Sequence, residues 1–386
     1  MQRLGIIGGG QLALYLCEAA QALGAEVSIL AEPGDAPALL LADRRFVAAL
    51  DDIAAIDEFL ASCDVVTFDK EGIPDSTLLH LAAAEAQGLC LIRPGVETLL
   101  TLKDKSVQKE WLVSQSLPTL PFQVLSGNNL SLHDLTEKLG DRIVQKVCRG
   151  GYDGRGVQVL APITSSNALW NVPSVVEPFL PNCREVAVIV ARSSSGAMDI
   201  FPPVSMEFEE QFNAVSTVVV PADIDAEKAT EATTLARRAI EGLGGVGVFA
   251  VELFLSSVGE LLINEISSRV HNSGHVTMAA CNVSQFEQHA RAVLGLPLAQ
   301  SSQLYPAAML NILYCEHFRS LCPPGPTVHT MTASGSTLYW YGKTPGSAGR
   351  KMGHINTIGC SVGEALRQGR ATLLRLHQEG KTLWQQ

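Results

Sequence analysis

The chain is short of positive charge. Its 28 lysines and arginines are outnumbered by 39 aspartates and glutamates, which gives a formal net charge of -11. Proteins that bind nucleic acid through its backbone usually carry a basic patch, so this composition argues against a nucleic-acid partner. An anionic small molecule would have to be held by local groups of cations.

Long hydrophobic runs and paired cysteine motifs are also missing. No run of about eighteen apolar residues occurs, and the chain enters a strand-like Leu4–Ile7 without a basic region and cleavage site, so we expect neither a membrane span nor a leader. The nine cysteines include no Cys-x-x-Cys pair, which disfavours a zinc site or a disulfide framework. These absences predict a cytoplasmic protein.

What is present is the composition of an enzyme-sized globular protein. Of its 386 residues, 47% are hydrophobic, enough for two or three domains. Residues 3–100 alternate short apolar runs with helical patterns, which predicts parallel βαβ units. The prolines of Leu117–Pro121 predict a boundary, after which the pattern becomes α+β.

A glycine pattern, Gly8-Gly-Gly-Gln-Leu-Ala13, lies between the first predicted strand and helix. Backbone amides and a helix N-terminus in this setting can cradle a phosphate or another anion. Glu32 follows about twenty residues later, where a ribose-binding carboxylate would lie, so a dinucleotide-dependent oxidoreductase stays open as an alternative. It accounts for the first part of the chain only.

Two acids, Glu252 and Glu265, lie inside apolar, strand-like runs, with Gly259 between the runs where a turn is needed. We expect the runs to pair and to bring the carboxylates together. Because an unpaired buried carboxylate is costly, the pair favours a Mg²⁺ site, with Asn264 as an additional oxygen donor. Acids at strand ends that pair with lysine or arginine are the simpler alternative.

A strand-held lysine, Lys146, precedes the glycine-rich segment Gly150–Gly156. Glycines let backbone N–H groups approach a phosphate, and a lysine supplies a point charge. Tyr152, Asp153 and Arg155 are more than a turn requires, although a solvated hairpin tip is the alternative.

The apolar run that ends at Glu177 and continues through Pro178, Phe179 and Leu180 to Glu185 is typical of an adenine-binding strand and hinge. In such a hinge, backbone groups read the base edge and a carboxylate takes the ribose hydroxyls. On its own, the pattern does not exclude an ordinary pair of strands.

Polar residues crowd the segment after Glu265, which carries Arg269, His271, Asn272 and His275. A single histidine is usually structural, but this density indicates a ligand site. A second cationic group, Arg350 and Lys351 within Gly349–His354, could clamp a substrate phosphate. A surface turn with salt bridges is the alternative there.

Taken in order, these motifs resemble the N5-carboxyaminoimidazole ribonucleotide synthetase family, ATP-grasp ligases of purine biosynthesis. The resemblance covers nearly the whole chain, and the combination of Gly150–Gly156 with Arg269–His275 is far more specific than a general ATP-grasp signal. It implies an ATP-grasp fold of α/β and α+β character. The implied parts are a Rossmann-like N-terminal domain (1–103), a linker helix (104–121), a small lid (122–182) and a C-terminal domain (183–386).

The resemblance also implies a reaction. ATP phosphorylates bicarbonate to carboxyphosphate, and the exocyclic amine of 5-aminoimidazole ribonucleotide is then carboxylated, with release of ADP and phosphate. Mg²⁺ and a homodimer are implied as well. Another ATP-grasp ligase would share the nucleotide site but not Arg269–His275, and a non-catalytic regulator would be expected to lack the Mg²⁺ ligands, which are present.

Site residues follow position by position from the resemblance. Mg²⁺ would be held by Glu252 and Glu265. The residues implied for ATP are Lys105, Lys146, Gly151, Tyr152, Asp153, Gly154, Arg155, Gly156, Val157, Glu177, Pro178, Phe179, Leu180, Glu185, Asn264 and Glu265. Those implied for the ribonucleotide are Gln11, Glu71, Tyr152, Arg269, His271, Asn272, Arg350 and Lys351. The implied catalytic residues are Asp153, Arg155, Arg269 and His271, and either Asp153 or His271 would accept the amine proton.

Several positions depart from the family pattern. Ala13 and Lys105 stand where a glycine and an arginine are usual, and Thr67–Ile73 differs from the usual Thr-Tyr-Glu-Phe-Glu-Asn-Val except that Thr67 and Glu71 are retained. Phe208 replaces a histidine and cannot form its hydrogen bonds. We therefore expect altered contacts around these segments, with the charged machinery complete.

Overall fold

The structure is a computed structural model. It describes residues 1–34, 36–127, 130–151, 156–161, 169–209, 211–314, 327–331, 335–343 and 349–379.

The first hundred residues form a parallel sheet with helical crossovers, as the alternating pattern predicts. The strands are β1 (Arg3–Ile7), β2 (Glu26–Ala31), β3 (Arg44–Val47), β4 (Val65–Phe68) and β5 (Leu91–Ile92), in the order β3-β2-β1-β4-β5. The helices are α1 (Gln11–Ala22), α2 (Ile53–Leu60), α3 (Asp75–Ala86) and α4 (Val96–Leu102), with a 3₁₀ turn over Pro37–Leu40. The order changes direction beside β1 and β4, so the residues that follow these two strands meet at the carboxyl edge of the sheet.

A connecting helix, α5 (Lys105–Ser114), leads into the next sheet. Its N-terminus is capped by Asp104, whose carboxylate accepts the Ser106 N–H at 3.0 Å. The buried face of α5 is polar as well as apolar, because Gln108, Lys109 and Leu112 are all buried. Polar groups on a buried face need partners, and those partners lie in the candidate site.

A small antiparallel sheet follows, with one helix against it. Its strands are β6 (Gln123–Leu125), β7 (Ile143–Val147), β8 (Val157–Leu160) and β9 (Ser174–Pro178), in the order β6-β9-β7-β8, and its helix is α6 (Leu132–Leu139). The runs on either side of Gly150–Gly156, β7 and β8, pair as antiparallel strands. Lys146 and Glu177 lie on neighbouring strands of this sheet.

The remaining strands form a ten-stranded antiparallel sheet in the order β15-β14-β10-β12-β13-β16-β19-β18-β17, with β11 beside β10. The strands are β10 (Arg184–Arg192), β11 (Met198–Ile200), β12 (Val204–Glu209), β13 (Ala214–Val220), β14 (Gly247–Leu255), β15 (Leu261–Ser267), β16 (Ala307–Leu313), β17 (Thr327–Met331), β18 (Ser336–Trp340) and β19 (Lys351–Ile358). The helices are α7 (Ala226–Leu243), α8 (Thr277–Ala280), α9 (Gln285–Val293) and α10 (Val362–Glu379), with a 3₁₀ turn over Asn272–Val276. Within the described ranges, no helix combines the length and apolar character needed to cross a bilayer.

The N-terminal sheet and the large sheet share one apolar core, in which Leu4 and Ile29 pack with Val248 and Phe286. A buried histidine, His289, joins the two sheets by hydrogen bonds. Its Nδ1 accepts the Val248 N–H at 2.9 Å, so Nε2 carries the proton and donates to Thr67 Oγ1 at 2.8 Å. This bond ties the carboxyl edge of β4 to the strand that carries Glu252.

Candidate active site

The two predicted acids meet across paired strands. Glu252 on β14 and Glu265 on β15 are direct partners, whereas Leu253 pairs with Ile263, so Asn264 is an extra residue in β15. Such a β-bulge interrupts the alternation of side chains. Asn264 and Glu265, though adjacent in sequence, therefore line the same small cavity.

Lysines from two other elements reach this bulge. Lys105, at the start of α5, contacts the Glu265 carboxylate, and Lys146 on β7 donates to Asn264 Oδ1 at 2.8 Å. The cavity between α5, the small sheet and β15 is lined by Lys105, Gln108, Lys109, Lys146, Val175, Asn264 and Glu265. Facing carboxylates and lysines of this kind suit a metal-bound polyphosphate.

The carboxylates of the site differ in protonation. Burial raises the pKa of Glu265, but the adjacent Lys105 ammonium outweighs it and holds that pKa at about 2. Burial, reinforced by the negative charge of Glu252, raises the pKa of Glu185 to about 8. At neutral pH the Glu265 carboxylate is therefore ionised, whereas Glu185 is mostly protonated.

The donor set fits a hard cation. Among the described residues, no three histidine, cysteine, aspartate or glutamate side chains converge closely enough to form a metal cage. Mg²⁺ requires no such cage, because it is commonly held by one or two carboxylates together with water and phosphate oxygens. Glu252 and Glu265, on opposed strand positions, supply those two carboxylates.

A buried ion triad lies behind the cavity, and sequence reasoning missed one member of it. The carboxylate of Glu177, which is fully buried, contacts Lys109 and lies 2.6 Å from Lys146 Nζ. Burial raises the pKa of Glu177, yet the two ammonium groups together lower it below its ordinary value. Lys105, Gln108 and Lys109 share one face of a helix by their spacing, which is the signal that could have revealed Lys109.

The residues after β15 form the second half of the site. Arg269 Nε lies 3.3 Å from Glu71 Oε1, and His271 Nε2 lies 3.1 Å from Glu252 Oε1. His271 Nδ1 accepts the backbone N–H of Ser273 at 3.3 Å, which leaves Nε2 as the nitrogen that faces Glu252.

The other two polar residues of this segment pack behind the site. The Asn272 amide forms two reciprocal hydrogen bonds with the Asn311 amide, at 3.0 and 2.8 Å. His275 is fully buried and stacks between Phe286 and His354, with ring centroids 5.6 and 4.6 Å apart. The structure therefore brings Arg269 and His271 to the site, and it occupies Asn272 elsewhere.

Comparisons with known proteins agree with this arrangement along the whole chain. Residues 1–97 match the family described as ribonucleotide synthetase preATP-grasp domain, residues 110–286 match ATP-grasp domain, and residues 307–368 match phosphoribosylaminoimidazole carboxylase C-terminal domain. The N5-carboxyaminoimidazole ribonucleotide synthase of Synechococcus elongatus is 36% identical over 97% of this chain and 95% of that protein. The chain belongs to the N5-carboxyaminoimidazole ribonucleotide synthase family.

Solved structures extend the similarity to the fold. The N5-carboxyaminoimidazole ribonucleotide synthetase of Thermotoga maritima is 33% identical with a TM-score of 0.83, over 97% of this chain and 98% of that one. The Aspergillus clavatus synthase in complex with ADP and 5-aminoimidazole ribonucleotide is 27% identical with a TM-score of 0.84, over 98% and 99%. The predicted ATP-grasp fold and the predicted ligase class are confirmed.

In this family member the N-terminal glycine loop already holds an anion. The Asp69 carboxylate, at the end of β4, accepts the Gly10 N–H at 2.8 Å. A β-carbon at Gly8 would come within 1.6 Å of Asp69 Oδ1, which is why glycine is needed there. The Gly10 N–H is therefore taken by the chain's own carboxylate, and the family membership given above contradicts the oxidoreductase alternative. Gln11, the first residue of α1, is half-buried beside this loop.

Part of the predicted site lies outside the described residues, namely Tyr152, Asp153, Gly154 and Arg155. At the far end of the same loop, Gly156 has φ +77, and a β-carbon there would lie 2.4 Å from Val147 Cγ2, so that position requires glycine.

Lys351 is the first residue of β19, and Arg350 directly precedes the strand. The β19 strand pairs with β16 so that His354 lies opposite Asn311, the amide partner of Asn272. Phe208, which replaces the family's usual histidine, packs against an apolar cluster of the large sheet.

Proposed function

We propose that the chain carboxylates the exocyclic amine of 5-aminoimidazole ribonucleotide, in the purine pathway to IMP. ATP would first phosphorylate bicarbonate to carboxyphosphate, and attack by the amine would then form N5-carboxyaminoimidazole ribonucleotide and release phosphate. One observation carries this proposal. Glu252 faces Glu265 on the neighbouring strand and also lies 3.1 Å from His271 Nε2, so one carboxylate is shared by the nucleotide half and the substrate half.

The nucleotide half is proposed to bind MgATP. When bound, Mg²⁺ would offset the negative charge of phosphoryl transfer, and Glu252 and Glu265 would hold it. Lys105 and Lys146, whose ammonium groups contact Glu265 and Asn264 in the free site, would then face phosphate oxygens. The backbone of Pro178 to Leu180 would read the adenine edge, and Gly151 to Val157 would cover the phosphates.

Glu185 is proposed to bind the ribose of ATP. Because the pKa of Glu185 is about 8 in the free site, its carboxyl group can both donate and accept a hydrogen bond at neutral pH. A ribose diol offers both functions. Glu177 is proposed to act through its charge, by holding Lys146 and Lys109 beside the cavity, where the triad keeps a net positive charge toward ATP.

The substrate half is proposed to bind the ribonucleotide and carboxyphosphate. Arg269, Arg350 and Lys351 would meet their anionic groups, because guanidinium and ammonium groups suit phosphate and carboxylate oxygens. Gln11, Glu71 and Tyr152 would complete the contacts, and Arg155 would stabilise carboxyphosphate. Since His271 Nε2 already faces the Glu252 carboxylate at 3.1 Å, we favour Asp153 as the base that accepts the amine proton.

We also propose that the enzyme is cytoplasmic, and that it is a homodimer, as the family resemblance implies. Light scattering coupled to gel filtration would give a mass of twice 41.2 kDa if the dimer is correct. A mass equal to a single chain at micromolar concentration would refute it.

The function is tested by phosphate release in the presence of ATP, Mg²⁺ and bicarbonate. We expect release to rise strongly when 5-aminoimidazole ribonucleotide is added and to fall when bicarbonate is removed. If the ribonucleotide causes no stimulation, the assigned substrate is wrong, although the ATP-grasp fold would stand.

A further inference from the structure

Two buried glutamines hold the central segment of the site through hydrogen bonds to its backbone. Gln108 on α5 and Gln285 on α9 each pair the side-chain amide with both backbone groups of a single residue in the segment 264–272. Their exposures are 3% and 0%. Neither residue belongs to the sites inferred from the sequence.

Gln108 forms hydrogen bonds with both backbone groups of Ile266, the residue after Glu265. Its Oε1 accepts the Ile266 N–H at 2.7 Å, and its Nε2 donates to the Ile266 carbonyl at 3.1 Å and to the Leu102 carbonyl at 3.1 Å. The strand β15 lies at the edge of the large sheet, so no described strand pairs with this side of Ile266. The side-chain amide of Gln108 forms the two hydrogen bonds to Ile266 that a neighbouring strand would otherwise form.

A second contact holds β15 on the other side of the bulge. The Ile263 N–H donates to the Pro118 carbonyl at 2.8 Å, and Thr119 Oγ1 donates to the Ile263 carbonyl at 2.7 Å. The bulged pair of Asn264 and Glu265 is thus fixed at both ends. A bulge leaves its extra residue unpaired, so its geometry depends on these flanking contacts.

Gln285 forms the same pair of hydrogen bonds with the backbone of His271. Its Oε1 accepts the His271 N–H at 2.9 Å, and its Nε2 donates to the His271 carbonyl at 2.6 Å. Gly274 leaves room for this amide, because a β-carbon there would lie 2.1 Å from Gln285 Oε1. Glycine is needed at position 274 because a larger residue would collide with the side chain of Gln285.

We infer that Gln108 and Gln285 are positioning residues with separate duties. Gln108 sets the direction of the Glu265 carboxylate toward the metal and ATP, and Gln285 sets His271 and the neighbouring Arg269 toward the ribonucleotide. This inference depends on the proposed function, which defines the two ligands. An amide that satisfies a donor and an acceptor of one residue fixes that residue's orientation, and an apolar side chain of similar size would leave both groups unpaired.

The test compares three glutamine-to-methionine variants. Gln288→Met is the matched control, because Gln288 is also fully buried on α9 and grips Ala299 in the same way, with bonds of 3.0 and 2.6 Å, away from the site. For each variant one would measure kcat, KM for ATP, KM for 5-aminoimidazole ribonucleotide, and the free Mg²⁺ concentration for half-maximal rate.

We expect Gln108→Met to raise KM for ATP and the Mg²⁺ requirement about tenfold, the effect of one lost buried hydrogen bond, with KM for the ribonucleotide within about twofold of wild type. Gln285→Met should raise KM for the ribonucleotide about tenfold and leave KM for ATP and the Mg²⁺ requirement within about twofold of wild type. Gln288→Met should lower thermal stability as the other two do, and leave both KM values unchanged.

The inference is overturned if Gln108→Met and Gln285→Met change the same KM, or if neither differs from Gln288→Met. If a methionine variant does not fold, the glutamate variant at that position keeps the acceptor and the shape and is scored by the same criteria. Wild-type enzyme without ribonucleotide-dependent turnover would refute the proposed function instead. In that case, titration of MgADP would still test Gln108, because Gln108→Met should weaken its binding and Gln285→Met should not.

Discussion

Replacement of Lys109 by methionine tests the buried ion triad. The side chains of Lys109 and Glu177 are 4% and 1% exposed, so solvent screens their attraction very little. Removal of one partner from a buried ion pair typically costs about 3 to 5 kcal/mol, because the remaining charge is left without compensation. Lys146 still compensates Glu177 at 2.6 Å in the variant, so the loss falls below that range, and we expect about 2 kcal/mol of lost unfolding free energy.

The assay is urea-induced unfolding of wild type, Lys109→Met, Glu177→Gln and the double variant. Methionine suits a helix about as well as lysine, so propensity should not contribute. The double variant should be more stable than the sum of the single changes predicts, since both partners of the pair are then neutral.

An exposed ion pair provides the control. Lys228 pairs with Glu231 one turn away on α7, and Lys228→Met should leave the unfolding midpoint unchanged. The reasoning is refuted if Lys109→Met is within about 1 kcal/mol of wild type, or if the effects of the two single changes simply add in the double variant.

Further predictions concern the two halves of the site, the base and pH. Glu265→Gln should abolish ATP cleavage, whereas Arg269→Ala should chiefly raise KM for the ribonucleotide, and identical defects would contradict the division. Asp153→Asn should lose turnover and keep ribonucleotide binding by calorimetry, and normal turnover would exclude Asp153 as the base. Burial lowers the pKa of three histidines, His275, His289 and His354, the last two to about 3. Because the unfolded chain then binds more protons below pH 6.5, unfolding free energy should fall from pH 6.5 to pH 5 by somewhat over ~1 kcal/mol per pH unit for each histidine. Glu185, whose pKa is raised to about 8, binds one more proton in the folded state than in the unfolded state over this pH range, and so offsets the effect of one histidine. A urea midpoint that stays constant or rises from pH 6.5 to pH 5 would contradict the lowered pKa values of the three histidines.

The meeting of Glu252 with Glu265 could be predicted from the sequence because it depends on periodicity and a turn. Two apolar runs separated by Gly259 form a hairpin, and the hairpin decides which residues face each other. The bulge at Asn264 could not be predicted in this way. A shift of one residue leaves no mark on the apolar pattern, yet it brings Asn264 into the same cavity as Glu265.

The group of polar residues after β15 shows a second feature that the sequence pattern could not predict. Arg269, His271, Asn272 and His275 are close in sequence and were interpreted together, but the 3₁₀ turn over Asn272–Val276 sends successive side chains in different directions. Asn272 consequently meets Asn311, and His275 enters the aromatic core. The high density of polar residues in the sequence indicated where the site lies, but the path of the backbone determines which of these residues face it.

Contacts between distant parts of the chain were the hardest to foresee. Lys109, Gln108 and Gln285 are polar residues on buried helix faces, and each needs a partner. Their spacing indicates that partners exist, but only the packing of α5 and α9 identifies Glu177, Ile266 and His271 as those partners.

The most direct test of the proposed chemistry follows the oxygen atoms of bicarbonate. If ATP phosphorylates bicarbonate and the amine then takes the carboxyl group, the bond between carbon and the bridging oxygen breaks, and that oxygen leaves with phosphate. In reactions shorter than the exchange of bicarbonate with water, ¹⁸O-labelled bicarbonate should therefore give one labelled oxygen in phosphate for each N5-carboxyaminoimidazole ribonucleotide formed. Product formed with unlabelled phosphate would contradict the carboxyphosphate route, and the absence of product would contradict the function.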